Sequence, residues 1–369
     1  MEITPFQAVY PNFDLIASAD SFFSTVKYEY PQYVESGFFI EDNDEALFVQ
    51  EIKTPDRTHY GLLCCLDIRE FEKGKILQHE KTMASKEQKI TTLLLQRKAM
   101  IKPVLLTYEP RKDLLRYLKN ISDKQKPFYK VKFDDEDQVH RIFKVSDPDM
   151  QKEIAALLSD VNKLYIADGH HRISTSAKLY RNYAKRKKNN LDFQNLLSVL
   201  FAFDQLGIHD YNRIVEILDD VKPAVVVAQL SEICDIRILK SAAKPVGKFT
   251  FTMYMDHVWY ELRWKQSLIE KYDKDSIVLD ANIMNKEIFK KIFHIRNIST
   301  DDRIKYVEGT VGIDVLIDKT QKGQGRVGFC LFPITMEEFV AVADAGKVLP
   351  PKSTWFEPRI KNGLIAKRF

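Results

Sequence analysis

The sequence predicts a mixed α/β fold, α+β in character with mixed sheets, carrying a second α+β lobe. Short apolar runs of strand length alternate with segments whose leucines recur at helical spacing, and clusters of turn-forming residues separate them. At 369 residues the chain is too long for one ordinary core, so two domains are expected.

Residues 46–52 and 59–68 read as paired strands joined by Lys53-Thr54-Pro55-Asp56-Arg57. Residues 86–100 have helical composition and stop before Lys102-Pro103. Residues 104–108 form a short buried strand ended by Glu109-Pro110, and 111–120 place Leu114, Leu115 and Leu118 on one helix face. Residues 128–145 resemble a hairpin with the acidic tip Asp134-Asp135-Glu136-Asp137. That tip lacks the glycine and terminal glutamate of a calcium loop and reads as a solvated turn. A helix over 149–161 opens after Ser146-Asp147-Pro148. A strand over 164–167, a sharp turn and a helix over 173–188 follow.

The second lobe begins near 195 with a strand over 196–203. A hairpin over 249–264 turns at Asp256-His257, helices lie near 282–293 and 311–320, and a strand spans 327–332. Thr335 and Glu338 form a capping box for a last helix that Gly346 closes. Prolines extend the tail Leu349-Pro350-Pro351-Lys352-Ser353-Thr354-Trp355-Phe356. The expected division is 1–190 and 191–369.

Composition narrows the function classes. The 56 basic and 52 acidic residues give a net charge of +4, too weak to make nucleic acid or membrane the main partner. The basic run Lys185-Arg186-Lys187-Lys188 sits where a helix ends, and cations there complement the helix dipole. Cys64, Cys65, Cys234 and Cys330 show no metal-like spacing; the adjacent pair reads as buried thiols, which suit a reducing compartment. No apolar stretch approaches the ~20 residues that span a bilayer. The start, Met1-Glu2-Ile3-Thr4-Pro5-Phe6, lacks the plan of a signal peptide. A cytoplasmic location is expected.

The turn Asp168-Gly169-His170-His171-Arg172 carries the strongest chemical signal. Glycine lets the chain reverse after the strand, so the first helix amides point into open space and make an anion site. Arg172 adds a forked donor that matches phosphate. His170 and His171 add donors whose charge is adjustable near neutral pH, and Asp168 is placed to hold Mg2+ against phosphate oxygens. Zinc is disfavoured, because adjacent histidines point differently on a helix and no cysteine or HExxH partner lies nearby. A second candidate is His79-Glu80-Lys81-Thr82, where the glutamate could serve as general base.

These residues carry a resemblance. Leu164-Tyr165-Ile166-Ala167-Asp168-Gly169-His170-His171-Arg172 resembles the hallmark of the bacterial family called domain of unknown function 1015. The likeness extends through Pro5-Phe6, Gly74-Lys75-Ile76-Leu77-Gln78-His79-Glu80-Lys81-Thr82, Asp210-Tyr211-Asn212-Arg213, Ala343-Asp344-Ala345-Gly346 and Pro350-Pro351-Lys352-Ser353-Thr354. The amino-terminal half is also similar to the archaeal ADP-dependent free serine kinases, through His79-Glu80, Lys102-Pro103-Val104-Leu105-Leu106 and the 166–172 segment. That likeness implies a ParB/sulfiredoxin-like core with an insertion at about 111–163. It makes Glu80 the base for a serine hydroxyl, with Asp168 beside it in catalysis and as metal ligand. Gly169, His170, His171, Arg172 and Thr82 then form the nucleotide phosphate site. One departure from the family stands out: Gln88-Lys89 occupies the place of the usual Asp-Arg, and lysine keeps the charge without the fork.

The implied activity is phosphotransfer from ADP or ATP, with Mg2+, to a small hydroxylated metabolite, free L-serine above all. The same groups could run as a phosphoserine phosphatase or reverse kinase. A different class, a nucleotide-binding or DNA-associated ParB-like regulator, is kept as an alternative, since fold never settles function. Serine or phosphoserine and a nucleotide are the expected partners, homodimer formation is allowed, and no membrane partner is expected.

Overall fold

The computed structural model describes residues 1–184, 191–217, 222–272, 277–323 and 325–369. The basic run at 185–188, and with it the expected end of its helix, lies outside the described residues. Chain contacts divide the protein into one unit of Met1–Gly207 with Pro358–Phe369 and a second of Ile208–Glu357. The mixed α/β character is plain in both.

The first unit contains, in order, β1 (Phe6–Pro11), α1 (Ala19–Glu35), β2 (Phe39–Lys53), β3 (Thr58–Asp67), β4 (Ile76–Leu77), α2 (Ala84–Arg97), β5 (Val104–Tyr108), α3 (Lys112–Lys124), β6 (Tyr129–Phe133), β7 (Gln138–Val145), α4 (Pro148–Leu158), β8 (Leu164–Asp168), α5 (His170–Ala184) and β9 (Asn195–Ala202). Its large sheet runs β4-β8-β5-β9-β3-β2-β7-β6, with β1 pairing β2. Two pairs, β4 with β8 and β5 with β9, are parallel, whereas β8 and β5 are antiparallel.

Central strand β3 is buried on both faces, including Cys64 and Cys65, so it reads as an unbroken apolar run rather than an alternation. The hairpin β6–β7 within the expected insertion pairs with β2 and extends the sheet. Strand β9, expected to open the second lobe, lies between β5 and β3 in this sheet. The last residues return to the first unit as well: Gly363 N–H donates to the Ile101 carbonyl at 2.6 Å, and Lys367 pairs with Met100 in a separate two-stranded sheet.

Helix α5 begins at His170 rather than near residue 173. It packs on α2 through Leu94 and Leu179, with Phe193 completing the cluster. Helix α4 opens with Pro148, and the Asp147 carboxylate caps it by accepting N–H groups of Asp149 and Met150.

In the second unit, β10 (Tyr211–Glu216), α6 (Pro223–Ile233), β11 (Cys234–Leu239), β12 (Thr250–Met255), β13 (Val258–Trp264), β14 (Ile304–Glu308), α7 (Ile313–Gln321), β15 (Arg326–Leu331) and α8 (Met336–Asp344) succeed one another. The sheet order β11-β13-β12-β15-β10-β14 is antiparallel throughout. Asp256 and His257 both have positive φ, 50° and 63°, as a tight two-residue hairpin requires. The helix expected near 282–293 starts as one α turn (Asp280–Ile283) and widens into π-helical turns (Met284–Lys290). The capping box of α8 is formed by Thr335 and Glu338.

Candidate functional site

Parallel pairing brings the two motifs together. Ile76 and Leu77 pair with Leu164 and Tyr165, so both chains leave the sheet in the same direction. Glu80 lies three residues past Leu77, and Asp168 three past Tyr165. Strand β5 runs the opposite way beside β8, and Leu105 is the register partner of Asp168. Lys102, just before β5, is thereby set at the same edge.

The register shifts between Ile166 and Asp168, a bulge of the kind that re-aims a side chain as a strand ends. Gly169 follows with φ +114°, and a Cβ there would fall 2.7 Å from the Arg172 guanidinium. Backbone conformation and packing both demand glycine.

Asp168 is held by two cations. Lys102 Nζ donates to its Oδ2 at 2.9 Å, and Arg172 Nη2 reaches the same oxygen at 3.3 Å. Burial opposes the Asp168 charge, but Arg172, Lys102 and Arg359 outweigh it and keep the carboxyl well below the usual carboxylate range. Burial also brings Lys102 down to about 8, an effect that Asp168 only partly offsets. Arg172 retains a buried Nε with no hydrogen-bond partner.

This arrangement bears on Asp168, the expected metal ligand. One of its oxygens already serves two protein cations, which would repel Mg2+. Among the described residues no group of three or more His, Cys, Asp or Glu side chains could hold a metal ion. Lys102 and Arg172 thus place two cations against the one carboxylate of the turn.

The histidines also differ from expectation. His170 Nε2 accepts the His79 backbone N–H at 3.4 Å, and His171 Nε2 accepts that of Met83 at 3.1 Å. Burial lowers both rings, His170 to about 3. They are neutral braces tying the 79–83 loop to the start of α5, not adjustable cations. His79 adds a backbone hydrogen bond with Ile166, and its ring meets that of His170 edge-on at 4.3 Å. His170 Nδ1 stands 3.8 Å from Glu80 Oε2.

Thr82, expected at the phosphates, instead hydrogen-bonds Glu87 and is not among the described residues lining the cleft. Glu87 also accepts Ser174 Oγ at 2.6 Å and pairs with Lys178. Its own burial acts upward, but these partners bring it down to about 2. The network clamps α2 to α5.

A cleft of about 460 Å3 brings Glu80 and the 168–172 turn to one place. Lys86, Lys89, Arg97, Lys102 and Arg172 line it with five cations, against two carboxylates. Helix α2 supplies an apolar wall through Ile90, Leu93 and Leu94. Lys86, Arg97 and Asn362 escaped sequence reasoning. The lysine and arginine looked like ordinary charges on a helix, and Asn362 arrives by the non-local return of the chain end.

Three solved structures show a weak likeness to the chain. A free serine kinase in complex with AMP is 13% identical, with a TM-score of 0.40 over 80% of this chain and 86% of that one. SbnI from Staphylococcus aureus, with a C-terminal truncation, is 13% identical, with a TM-score of 0.41 over 81% and 85%. A conserved hypothetical protein from Pyrococcus furiosus is 13% identical, with a TM-score of 0.39 over 81% and 93%. No curated protein matches the sequence significantly, and no helix among the described residues is long and apolar enough to cross a membrane. A family profile described as a protein of unknown function, DUF1015, matches residues 9–285, a span that includes both motifs of the cleft. The chain belongs to the DUF1015 family.

Proposed function

We propose that the cleft binds a nucleotide through its phosphates and transfers a phosphoryl group to a small hydroxylated metabolite, free L-serine being the leading candidate. One observation carries this reading: a glutamate and five cations from distant segments line a single cleft that also has an apolar wall. An excess of cations suits phosphates, the apolar face of α2 suits a nucleobase, and a carboxylate at the edge suits a hydroxyl.

In this reading Glu80 takes the proton of the substrate hydroxyl as that oxygen bonds to phosphorus. The phosphorus–oxygen bond to the nucleotide breaks, and AMP leaves from ADP or ADP from ATP. Lys102 and Arg172 neutralise the charge on the transferred group, the electrostatic contribution on which phosphoryl transfer depends. The same groups serve the phosphoserine-consuming direction.

The test is to incubate the pure protein with serine and either ADP or ATP, with and without Mg2+, and to read phosphoserine by mass spectrometry. Phosphoserine formation supports the reading. Nucleotide binding without any product, in either direction, would leave a nucleotide-binding regulator instead.

A further inference from the structure

The second unit holds a cavity built on Arg213, a residue with no part in the proposed phosphotransfer. Alternation along β10 puts Tyr211 and Arg213 on one face of the sheet, and the cavity that they line also takes Lys352 from the segment after α8. Arg213 Nη2 donates to the Lys352 carbonyl at 3.4 Å, across 139 positions of sequence. Lys352 Nζ donates to the Tyr211 hydroxyl at 3.3 Å and lies 4.6 Å from the centre of that ring. Two motifs with no part in the phosphotransfer reading, Asp210-Tyr211-Asn212-Arg213 and Pro350-Pro351-Lys352-Ser353-Thr354, thus meet at one place. Lys352 sits at φ +59°, a conformation that persists where surrounding contacts hold it and that clusters at functional sites.

Arg213 is 2% exposed, and a buried guanidinium brings a full charge and five N–H donors that need partners. Its Nη1 donates to the Tyr211 carbonyl at 2.8 Å, the Tyr306 ring lies 5.8 Å away, and its Nε has no hydrogen-bond partner. Every hydrogen-bond acceptor it has is a neutral carbonyl. Of the other charges lining the cavity, Lys248 and Glu338 pair with each other. Asp280 accepts Trp264 Nε1–H at 2.8 Å and the Phe249 N–H at 3.1 Å. Asp210 also lines the cavity and is buried; burial raises its carboxyl above the usual range, an effect that Lys244 and Arg213 partly offset.

We propose that this cavity binds an oxyanion, the carboxylate or phosphate group of a small ligand, with Arg213 as anchor and Lys352 and the Tyr211 hydroxyl as further contacts. A planar guanidinium with a donor that lacks a partner matches the oxygens of either group. The site does not depend on nucleotide binding in the first unit.

All three tryptophans, Trp259, Trp264 and Trp355, lie in the second unit. Trp355 packs edge-on against Tyr211 at 5.5 Å, and Trp264 is bonded to Asp280, so tryptophan emission reports on the cavity. The full chain is titrated with sodium acetate, with sodium phosphate, and with sodium chloride as an ionic-strength control. A saturable change with an oxyanion but not with chloride is expected, and the anion that saturates at lower concentration identifies the group. Lys352→Ala, at an exposed side chain, should weaken the response roughly tenfold or more, the worth of one charge-assisted contact. Arg213→Lys, which keeps charge without the fork, should weaken it too, whereas Arg172→Ala should leave it unchanged. Equal responses to all three salts overturn the proposal, as does an unaltered affinity in Lys352→Ala.

Discussion

His170 accepts the backbone N–H of His79 at Nε2 over 3.4 Å, and this contact decides which proton the ring carries. With Nε2 an acceptor, the neutral ring keeps its hydrogen on Nδ1, the nitrogen that faces Glu80 Oε2 at 3.8 Å. Burial holds the ring near a pKa of 3, so at neutral pH it offers Glu80 a dipole rather than a charge. The glutamate's loop is positioned by a histidine that does not itself titrate in the working range.

Replacing that acceptor tests the brace. His170→Phe fills the volume but leaves the His79 N–H buried without its partner, which costs about 1–3 kcal/mol. The melting temperature should fall, and turnover should fall further than nucleotide affinity, because the displaced segment carries Glu80. Thermal melts and calorimetric nucleotide titrations on the folded variant check this. Unchanged stability would mean that the contact does not hold the loop.

Arg172 should carry much of the phosphate affinity. Arg172→Ala removes the forked donor and should weaken nucleotide binding by on the order of 1–3 kcal/mol. Gly169→Ala should do comparable damage indirectly, since its new methyl would strike the guanidinium and its φ of +114° disfavours any side chain. Calorimetry on both variants decides, and a folded Arg172→Ala with wild-type affinity would exclude this turn as the phosphate site.

Much of the fold was legible because its signals are local. Residues 104–108, the hairpin at Asp256-His257 and the capping box at Thr335 and Glu338 announce themselves within a few residues. Helix α1 did not, with Tyr28 73% exposed and Pro31 inside the helix blurring its periodicity. The place of β9 in the first sheet and the return of the chain end rest on distant pairings that no window of sequence contains. For the site, the motifs pointed to Glu80 and the 168–172 turn, but the roles of the two histidines follow from burial and backbone partners. Composition at the turn could not distinguish an exposed imidazole donor from a buried acceptor.

Lys102 gives the cleft a pH dependence. Burial lowers it to about 8, so it loses its proton as pH rises through that value and ceases to attract phosphate. Nucleotide affinity should decline above about pH 8, and Lys102→Arg, charged throughout, should flatten the curve. Stability moves the other way. Between about pH 8 and the ordinary lysine value near 10.4, the unfolded chain binds more protons at this residue than the folded one. Its contribution to stability therefore rises with pH. Titrations and melts at pH 7 and 9.5 on both proteins separate the effects; parallel affinity curves would remove Lys102 from the binding site.

Glu80→Gln separates catalysis from binding. The amide keeps the size and polarity of the carboxylate but cannot take a proton from a substrate hydroxyl. Nucleotide affinity should survive, because the proposed phosphate contacts are Lys102 and Arg172 rather than the loop carrying Glu80. Turnover should drop by roughly 10²–10⁴-fold, the usual worth of a positioned general base. The other roles open to this residue leave different traces. If Glu80 serves mainly to hold His170 through the 3.8 Å approach, melting temperature and affinity should fall together. If it is a bystander at the rim of the cleft, stability, affinity and phosphoserine formation should all stay at wild-type levels. Measuring the three on one preparation distinguishes base, scaffold and bystander, and near-wild-type turnover would remove Glu80 from the mechanism while leaving the nucleotide site intact.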